Sequence, residues 1–494
     1  MPNERRSAAS PTPSVVPSTS EPARELEIPE WTPLRMKLSR SHLRRHVLVI
    51  GETGSGKTAS VLMPLLRAIL SSDGRDTDAP SALVIDPKDG ELTKFLSTEL
   101  PPERLKVIAP ERGKWMVPFF VPEPSGRVPD PHRLLDELIT ADYGSAVGGI
   151  RNAGFWIASV RQLLGGFIAA DHWVARNHRS SQVRLVWEAL LQELPHREDI
   201  QHTDTPFWDP AVEGLWDRGG YIDILSWAVS RALADRDFLS RWGDVLSRHN
   251  CPPKIWRNTA SMGGIPHETL GGIIVTAQNL LNPFTLAATN GHLWTSPFHR
   301  PPKGLLDPTA LMDQGTVTVY RPADPSTRSN VLGRAIKRAF FSAALKSRDR
   351  SREFLYLADE FHRFITADPE CSEASFFDRC RSYGVSCVVA TQSESSLRQA
   401  LETAPGSQSP ESALQVMLSN LANHFYFRTT DVSTQSRLRT LLPQHPTKAT
   451  LPHVTAVRPI TSLATGEAYW LSASGGWGRG HVRLLSTATG RERA

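Results

Sequence analysis

The 494-residue chain has no stretch of eighteen or more apolar residues, so the sequence offers no helical segment able to cross a bilayer. Its Arg5-Arg6 pair has no apolar segment behind it, which argues against an export signal. Cysteine is scarce. Cys251, Cys371, Cys380 and Cys387 include no C-x-x-C pair and no Cys/His ligand spacing, so the expectation is a reduced, cytoplasmic setting without structural zinc. Charge of one sign is also lacking. The balance of 56 Lys+Arg against 51 Asp+Glu leaves +5, too dilute to identify a polyanionic partner. No N-K-x-D base-reading motif occurs, and that absence is the only argument here for ATP over GTP.

What is present is ordinary in bulk and specific in detail. Apolar residues make up 40% and charged residues 22%, the proportions of a globular protein, and the length suits about three domain-sized units. Near the start, the apolar run Val47 to Ile50 breaks into GETGSGKT, and a helical apolar pattern follows at once. The turn fits G-x-x-x-x-G-K-[ST], with Gly51, Glu52, Thr53, Gly54, Ser55, Gly56, Lys57 and Thr58 as its eight residues. Glycines let consecutive backbone N–H groups converge on phosphate oxygens, and the helix beginning there adds its positive dipole end. Lys57 suits the β- and γ-phosphates, and the Thr58 hydroxyl suits Mg²⁺. Strand before and helix after are the context this motif requires, so a nucleoside triphosphate is expected.

Along the chain, residues 1–26 carry five prolines, five serines and no apolar period, which predicts a disordered tail. Arg35, Lys37, Arg40, Arg44 and Arg45 follow; a solvated approach to the first strand is preferred there over a nucleic-acid contact. Strands are predicted at Ala82 to Ile85, ending in Asp86-Pro87-Lys88-Asp89-Gly90-Glu91, and at Leu105 to Ile108. Residues 27–125 therefore read as the first part of a nucleotide-binding domain. Helical periods then take over, and residues 126–300 read as an inserted all-α domain. Trp156, Val160, Leu163, Leu164 and Phe167 share one helical face, as do Phe238, Trp242, Val245 and Leu246. Nine of the thirteen tryptophans fall in this segment, and their spacing favours core packing over a base-stacking surface.

Strands return over residues 301–494, the second part of the nucleotide-binding domain. They are expected at Thr316 to Tyr320, Phe354 to Ala358, Val385 to Ala390 and Asn423 to Arg428. A terminal hairpin is expected from Ala468 to Ser472 and His481 to Leu485, turning at Gly475 to Gly480. A helix from about Asn330 to Leu345 should face Leu332, Ile336, Ala339, Phe340 and Ala343 inward and Arg334, Lys337 and Arg338 outward. The first and last thirds together make an α/β fold with one mostly parallel sheet.

Hydrolysis needs a carboxylate in the metal shell and a group that positions water. Asp359, at the C-terminal end of a buried strand, suits the metal, because ligand-facing residues of parallel sheets lie at that edge. Its neighbour Glu360 suits the role of base, and Gln392, ending the next strand, suits a γ-phosphate sensor. Arg381 is either an arginine that completes charge neutralisation in a neighbouring subunit or an ordinary surface residue.

The succession GETGSGKT, D-P-K-D-G-E, FWIASVRQLL, FLYLADE, SYGVSCVVATQS, NLANHFYFRTTD and LATGEAYWL resembles the type IV secretion coupling proteins. These are the TraG/TraD-type conjugative DNA-transfer ATPases of the FtsK/HerA superfamily, and the likeness runs over roughly residues 40–485. It implies a RecA-like P-loop NTPase with an inserted all-α domain, working as a hexameric ring that moves DNA with ATP and Mg²⁺. It also implies Lys57 and Thr58 as the phosphate-loop pair, Asp359 and Glu360 as the acidic pair, Gln392 as sensor and Arg381 acting in trans. Type IV secretion or relaxase-type proteins would be further partners. Two departures stand out. Such proteins usually begin with membrane helices, so this chain is expected in the cytoplasm, either recruited to the inner membrane by a partner or soluble. The strand end usually written D-x-K-G-E has an extra acid here, and Lys88 receives no role. The alternatives are a nucleotide-switched adaptor that recruits protein substrates, and a soluble HerA-like translocase for DNA processing or defence.

Overall fold

The computed structural model describes residues 25–26, 38–70, 79–109, 153–177, 232, 237–286, 308–322, 327–347, 352–366, 372–403, 409–442 and 458–481. Among these residues nine strands form one sheet: β1 Val47–Ile50, β2 Ser81–Ile85, β3 Leu105–Ile108, β4 Val317–Tyr320, β5 Phe354–Ala358, β6 Val385–Thr391, β7 Asn423–Phe427, β8 Glu467–Leu471 and β9 Trp477–His481. Their order across the sheet is β9-β8-β7-β1-β6-β5-β2-β4-β3. Neighbours from β7 to β3 pair in parallel, and only β8 and β9 are antiparallel. The two ends of the sequence thus share one sheet, as its strand pattern predicts. Runs such as VLVI, SALVI and FLYLA are buried at every position, because helices cover both faces of a parallel sheet.

On one face Val47, Val49, Val84, Val319, Leu357 and Val388 pack under helix α1, Met63–Leu70, and helix α2, Glu91–Glu99. The opposite face buries Leu48, Ile50, Tyr356, Val389 and Tyr426 in the cluster that also holds helices α7 to α10. These are α7 Thr327–Ala344, α8 Glu373–Cys380, α9 Glu394–Thr403 and α10 Pro410–Asn420, followed by α11 Val432–Leu441.

Between β3 and β4 the described residues are helical: α3 Ala153–Asn177, α4 Phe238–Arg248, α5 Pro253–Ala260 and α6 His267–Leu286. Val160, Leu163, Leu164 and Phe167 of α3 and Phe238, Trp242, Val245 and Leu246 of α4 are buried, on the faces their spacing predicts. Trp242 is edge-on to Phe167 with ring centroids 5.3 Å apart, and Trp256 Nε1 donates to the Cys251 carbonyl at 3.1 Å. Trp242 is a core residue, and Trp256 packs partly buried against the same cluster. Trp187, Trp208, Trp216, Trp227 and Trp294 lie outside the described residues, as do the expected domain limits near 125 and 300.

Three local expectations change. Glu25–Leu26, placed in the tail, pairs antiparallel with Leu38–Ser39; residues 1–24 lie outside the described part. The hairpin returns earlier than expected, because the Gly/Trp/Arg stretch read as its turn is itself β9, with Trp477 opposite Leu471. Lys337 faces inward on α7 and is 1% exposed, paired with the buried Glu373. The basic approach to β1 is structural in part, since Arg44 pairs with Glu353 at 3.4 Å and Arg45 donates to the Ala473 carbonyl at 2.9 Å. No helix among the described residues is long and apolar enough to cross a membrane.

Candidate active site

The phosphate-loop motif leaves β1 and winds into α1 through a wide π-type turn, Thr58–Leu62, in which Met63 N–H bonds to the Thr58 carbonyl. Pro64, next in line, has no N–H to close a standard helical turn. Gly51 is required at the loop's root, because a Cβ there would come within 2.5 Å of Phe427 Cβ on β7. Gly54, at the crest, has φ +77° and open space around the position a Cβ would take. The loop is braced from below by Gly466 N–H, which bonds to the Ser55 carbonyl at 2.9 Å. Glu52 at its side pairs with Arg428.

Sheet order brings the rest of the site to this loop. β6 lies between β1 and β5, and all three are parallel, so the tips of β5 and β6 stand beside the phosphate loop at the C-terminal edge. Thr58 Oγ1 donates to Asp359 Oδ2 at 3.2 Å. Gln392, just past β6, donates from Nε2 to Glu360 Oε2 at 3.0 Å. Glu360 occupies the left-handed region at φ 45°, ψ 42°, and its N–H bonds to Asp359 Oδ1 at 2.9 Å. A non-glycine residue held there is strained, which is typical of backbone over-determined at a functional position. The turn aims two adjacent carboxylates, both nearly inaccessible, into the same space.

Lys57 is buried at 3% exposure and donates from Nζ to the carbonyls of Gly51 at 2.5 Å and Glu52 at 3.1 Å. Burial, aided by the nearby Lys88 ammonium, pushes its pKa below the usual lysine value. Burial works against the charge of Glu360, but Lys88, then His362 and Lys57, outweigh it and hold that carboxyl below the ordinary range. Lys88 Nζ lies 3.3 Å from Asp359 Oδ2 and 2.5 Å from Glu360 Oε1. Burial also opposes the charge on Lys88, and the two carboxylates overcome it, so its value rises. His362 Nδ1 is 3.2 Å from Thr391 Oγ1 and 3.7 Å from Glu360 Oε2.

Sequence reasoning missed Lys88 and its neighbour Asp86. Asp86 is 1% exposed and accepts from Thr93 N–H at 2.7 Å and Thr93 Oγ1 at 2.6 Å. Both sit on the tip of β2, which pairs with β5 so that Ile85 lies opposite Ala358. The signal available was position: a lysine on a strand end in a parallel sheet already holding a phosphate loop.

Arg381 is not brought to this cluster. It is exposed in a short 3₁₀ turn, Arg381–Tyr383, ahead of β6, while Gln392 follows the strand. The seven residues of β6 separate the two by about 20 Å at ~3.3 Å per residue.

The donor set fits a magnesium–triphosphate. The Thr58 hydroxyl and Asp359 carboxylate are hard oxygen donors in mutual contact, and a buried ammonium lies on one side of an open glycine crest.

No protein-family model and no curated protein sequence matches this chain. Solved structures do. The bacterial conjugative coupling protein TrwB in its unbound monoclinic form matches with a TM-score of 0.54 at 14% identity, over 92% of this chain and 89% of that one. TrwB in complex with ADP and Mg²⁺ matches at 0.51 and 13% identity, over 92% and 88%. TrwB with the non-hydrolysable ATP analogue ADPNP matches at 0.51 and 14%, over 91% and 87%. The chain therefore has the RecA-like phosphate-loop fold of the conjugative coupling protein TrwB, the architecture its motifs resemble.

Proposed function

We propose that this protein is an ATP-hydrolysing motor that translocates DNA in type IV secretion, as the coupling proteins it resembles do. The observation that carries the reading is the closure of the site. Residues 301 positions apart, Thr58 and Asp359, meet at 3.2 Å, and Gln392 meets Glu360 at 3.0 Å across the same space. TrwB structures hold ADP with Mg²⁺ and ADPNP, which supports the same ligands here.

In this reading the loop amides of Gly51 to Thr58 and Lys57 Nζ hold the phosphates, and Thr58 and Asp359 hold Mg²⁺. The metal, when bound, neutralises charge building on the phosphate oxygens. Glu360 stays ionised because Lys88 faces it, so it is ready to accept a proton from attacking water, and Gln392 orients the Glu360 oxygen it touches. Lys57, held by two loop carbonyls, is pre-positioned and charged where negative charge collects. Arg381, exposed at the far edge of the sheet, serves a neighbouring subunit, which makes the working form a ring; a hexamer is the proposed size.

The test is ATPase turnover with and without DNA for the wild type, Lys57→Ala and Glu360→Gln. DNA should raise wild-type turnover, and DNA affinity should fall steeply with salt, since phosphates supply most of it. Glu360→Gln should lose about 10²–10⁴-fold in turnover while still binding ATP. A turnover rate indifferent to DNA would overturn the motor reading.

A further inference from the structure

At the opposite edge of the sheet three residues meet in one buried pocket: His46 just before β1, Cys380 ending α8, and Cys387 in β6. Their donor atoms all lie within 4.8 Å of one another. Cys380 Sγ is 3.9 Å from Cys387 Sγ and 3.6 Å from His46 Nε2, and all three residues are nearly inaccessible. Such separations approach the edges of a tetrahedral zinc centre, about 3.6–3.8 Å, so a metal is the first reading to weigh.

The imidazole decides against it. The backbone N–H of Cys387 donates to His46 Nδ1 at 3.1 Å, so Nδ1 keeps its lone pair and the proton sits on Nε2. From there it is directed at the Phe377 carbonyl, 3.1 Å away, and at the Cys380 sulfur. A ligating histidine needs the reverse, a bare nitrogen for the metal and an N–H facing an acceptor. What remains is a pair of touching thiols, one of which is held by a fixed donor.

The two sulfurs are unequal. Burial raises both, but the Cys387 S–H and the His46 side chain stabilise charge on Cys380 and bring its thiol down to about 6. Burial, then the adjacent Cys380 sulfur, pushes Cys387 well above the ordinary thiol value. Thiolate is the attacking species, so Cys380 is the nucleophile and Cys387 the resolving thiol.

We propose that Cys380 and Cys387 are a reversible dithiol/disulfide pair, oxidised by a low-molecular-weight disulfide. The Cys380 thiolate attacks one sulfur of the oxidant, forming a mixed disulfide and releasing one thiolate. Cys387 then loses its proton and attacks the Cys380 sulfur, closing the protein disulfide and expelling the second thiolate. Two protein thiols are oxidised by two electrons, and one small disulfide becomes two thiols. Access comes through the turn Arg381-Ser382-Tyr383-Gly384, whose first two residues are exposed, by local opening. The bond would tie the end of α8 to β6 and clamp the turn that carries Arg381. That consequence rests on the ring reading; the bond itself does not.

The experiment uses the full chain, reduced and then incubated with oxidised glutathione at neutral pH, alkylated and digested with trypsin without reductant. Cleavage after Arg379, Arg381 and Arg398 separates the two cysteines, so the expected product is Cys380-Arg381 joined to the peptide 382–398 and freed by reductant. Before alkylation the intact mass should fall by about 2 Da. Cys380→Ala and Cys387→Ala should each abolish the linked pair, and peptide mapping of the wild type stands even if a variant misfolds. Three results would overturn the proposal: both thiols alkylated after oxidation, a glutathione adduct on Cys380 that never resolves, or one zinc per chain retained by the reduced protein and lost in both variants.

Discussion

Asp86 and Lys88 share a strand tip, and their surroundings raise both values, which favours the neutral form of the acid and the charged form of the lysine. Burial, with repulsion from Asp359, pushes the Asp86 carboxyl up from 3.8 to about 6 against the pull of its Thr93 hydrogen bonds. An acid with a raised folded value binds more protons in the native state, so it costs stability as pH rises through about 4 to 6, and the cost is complete above 6. The size is on the order of 3 kcal/mol. Asp86→Asn should therefore flatten that part of the stability profile, seen in urea unfolding at pH 4.5 and 7.5; parallel profiles for variant and wild type would refute it. The placement of Asp359 and Glu360 beside the phosphate loop was legible in the sequence, because both acids end a buried strand and parallel strands bring such ends to one edge. That of Asp86 and Lys88 was not, because their importance comes from β2 lying beside β5, a pairing that no local pattern encodes.

At the scale of elements, α7 shows where periodicity fails. Leu332, Ile336 and Phe340 face the core as their spacing predicts, yet Lys337 is buried too. Its Nζ donates to the Phe364 carbonyl at 2.5 Å and pairs with Glu373, which accepts from Thr366 N–H at 2.8 Å. One ion pair thus joins α7, the segment after β5 and the start of α8. A charged residue next to an apolar stripe reads as solvated unless its partner, here 36 positions away, is known. Lys337→Met should strand a buried carboxylate and cost about 3–5 kcal/mol, whereas Lys337→Met with Glu373→Met should regain much of that loss in thermal melts. Equal melting points for the single and double variants would show that the pair is not coupled.

For the whole molecule, the position of Arg381 is the feature with the widest consequence. It lies a full strand length from its own Gln392, so it can meet a phosphate loop only on another copy of the chain. Arg381→Ala and Lys57→Ala should each be inactive, and a mixture of the two should recover ATPase activity. In the mixture an intact Lys57 on one subunit can face an intact Arg381 on the next. No recovery over a range of mixing ratios would place the arginine outside the reaction.

The sequence by itself determined the phosphate loop, the strand runs, the helical faces between them and the acidic strand end. Each is a local pattern whose physical cause lies within a few residues: converging amides, burial on both sides, or a 3.6-residue period. Tertiary structure alone decided which strand tips are neighbours. The order β1-β6-β5-β2 puts Lys88 against Asp359 and Glu360, and the turn into β1 sets His46 against Cys380 and Cys387. Side chains hundreds of residues apart meet because parallel pairing aligns strand ends in space, whatever their separation along the chain.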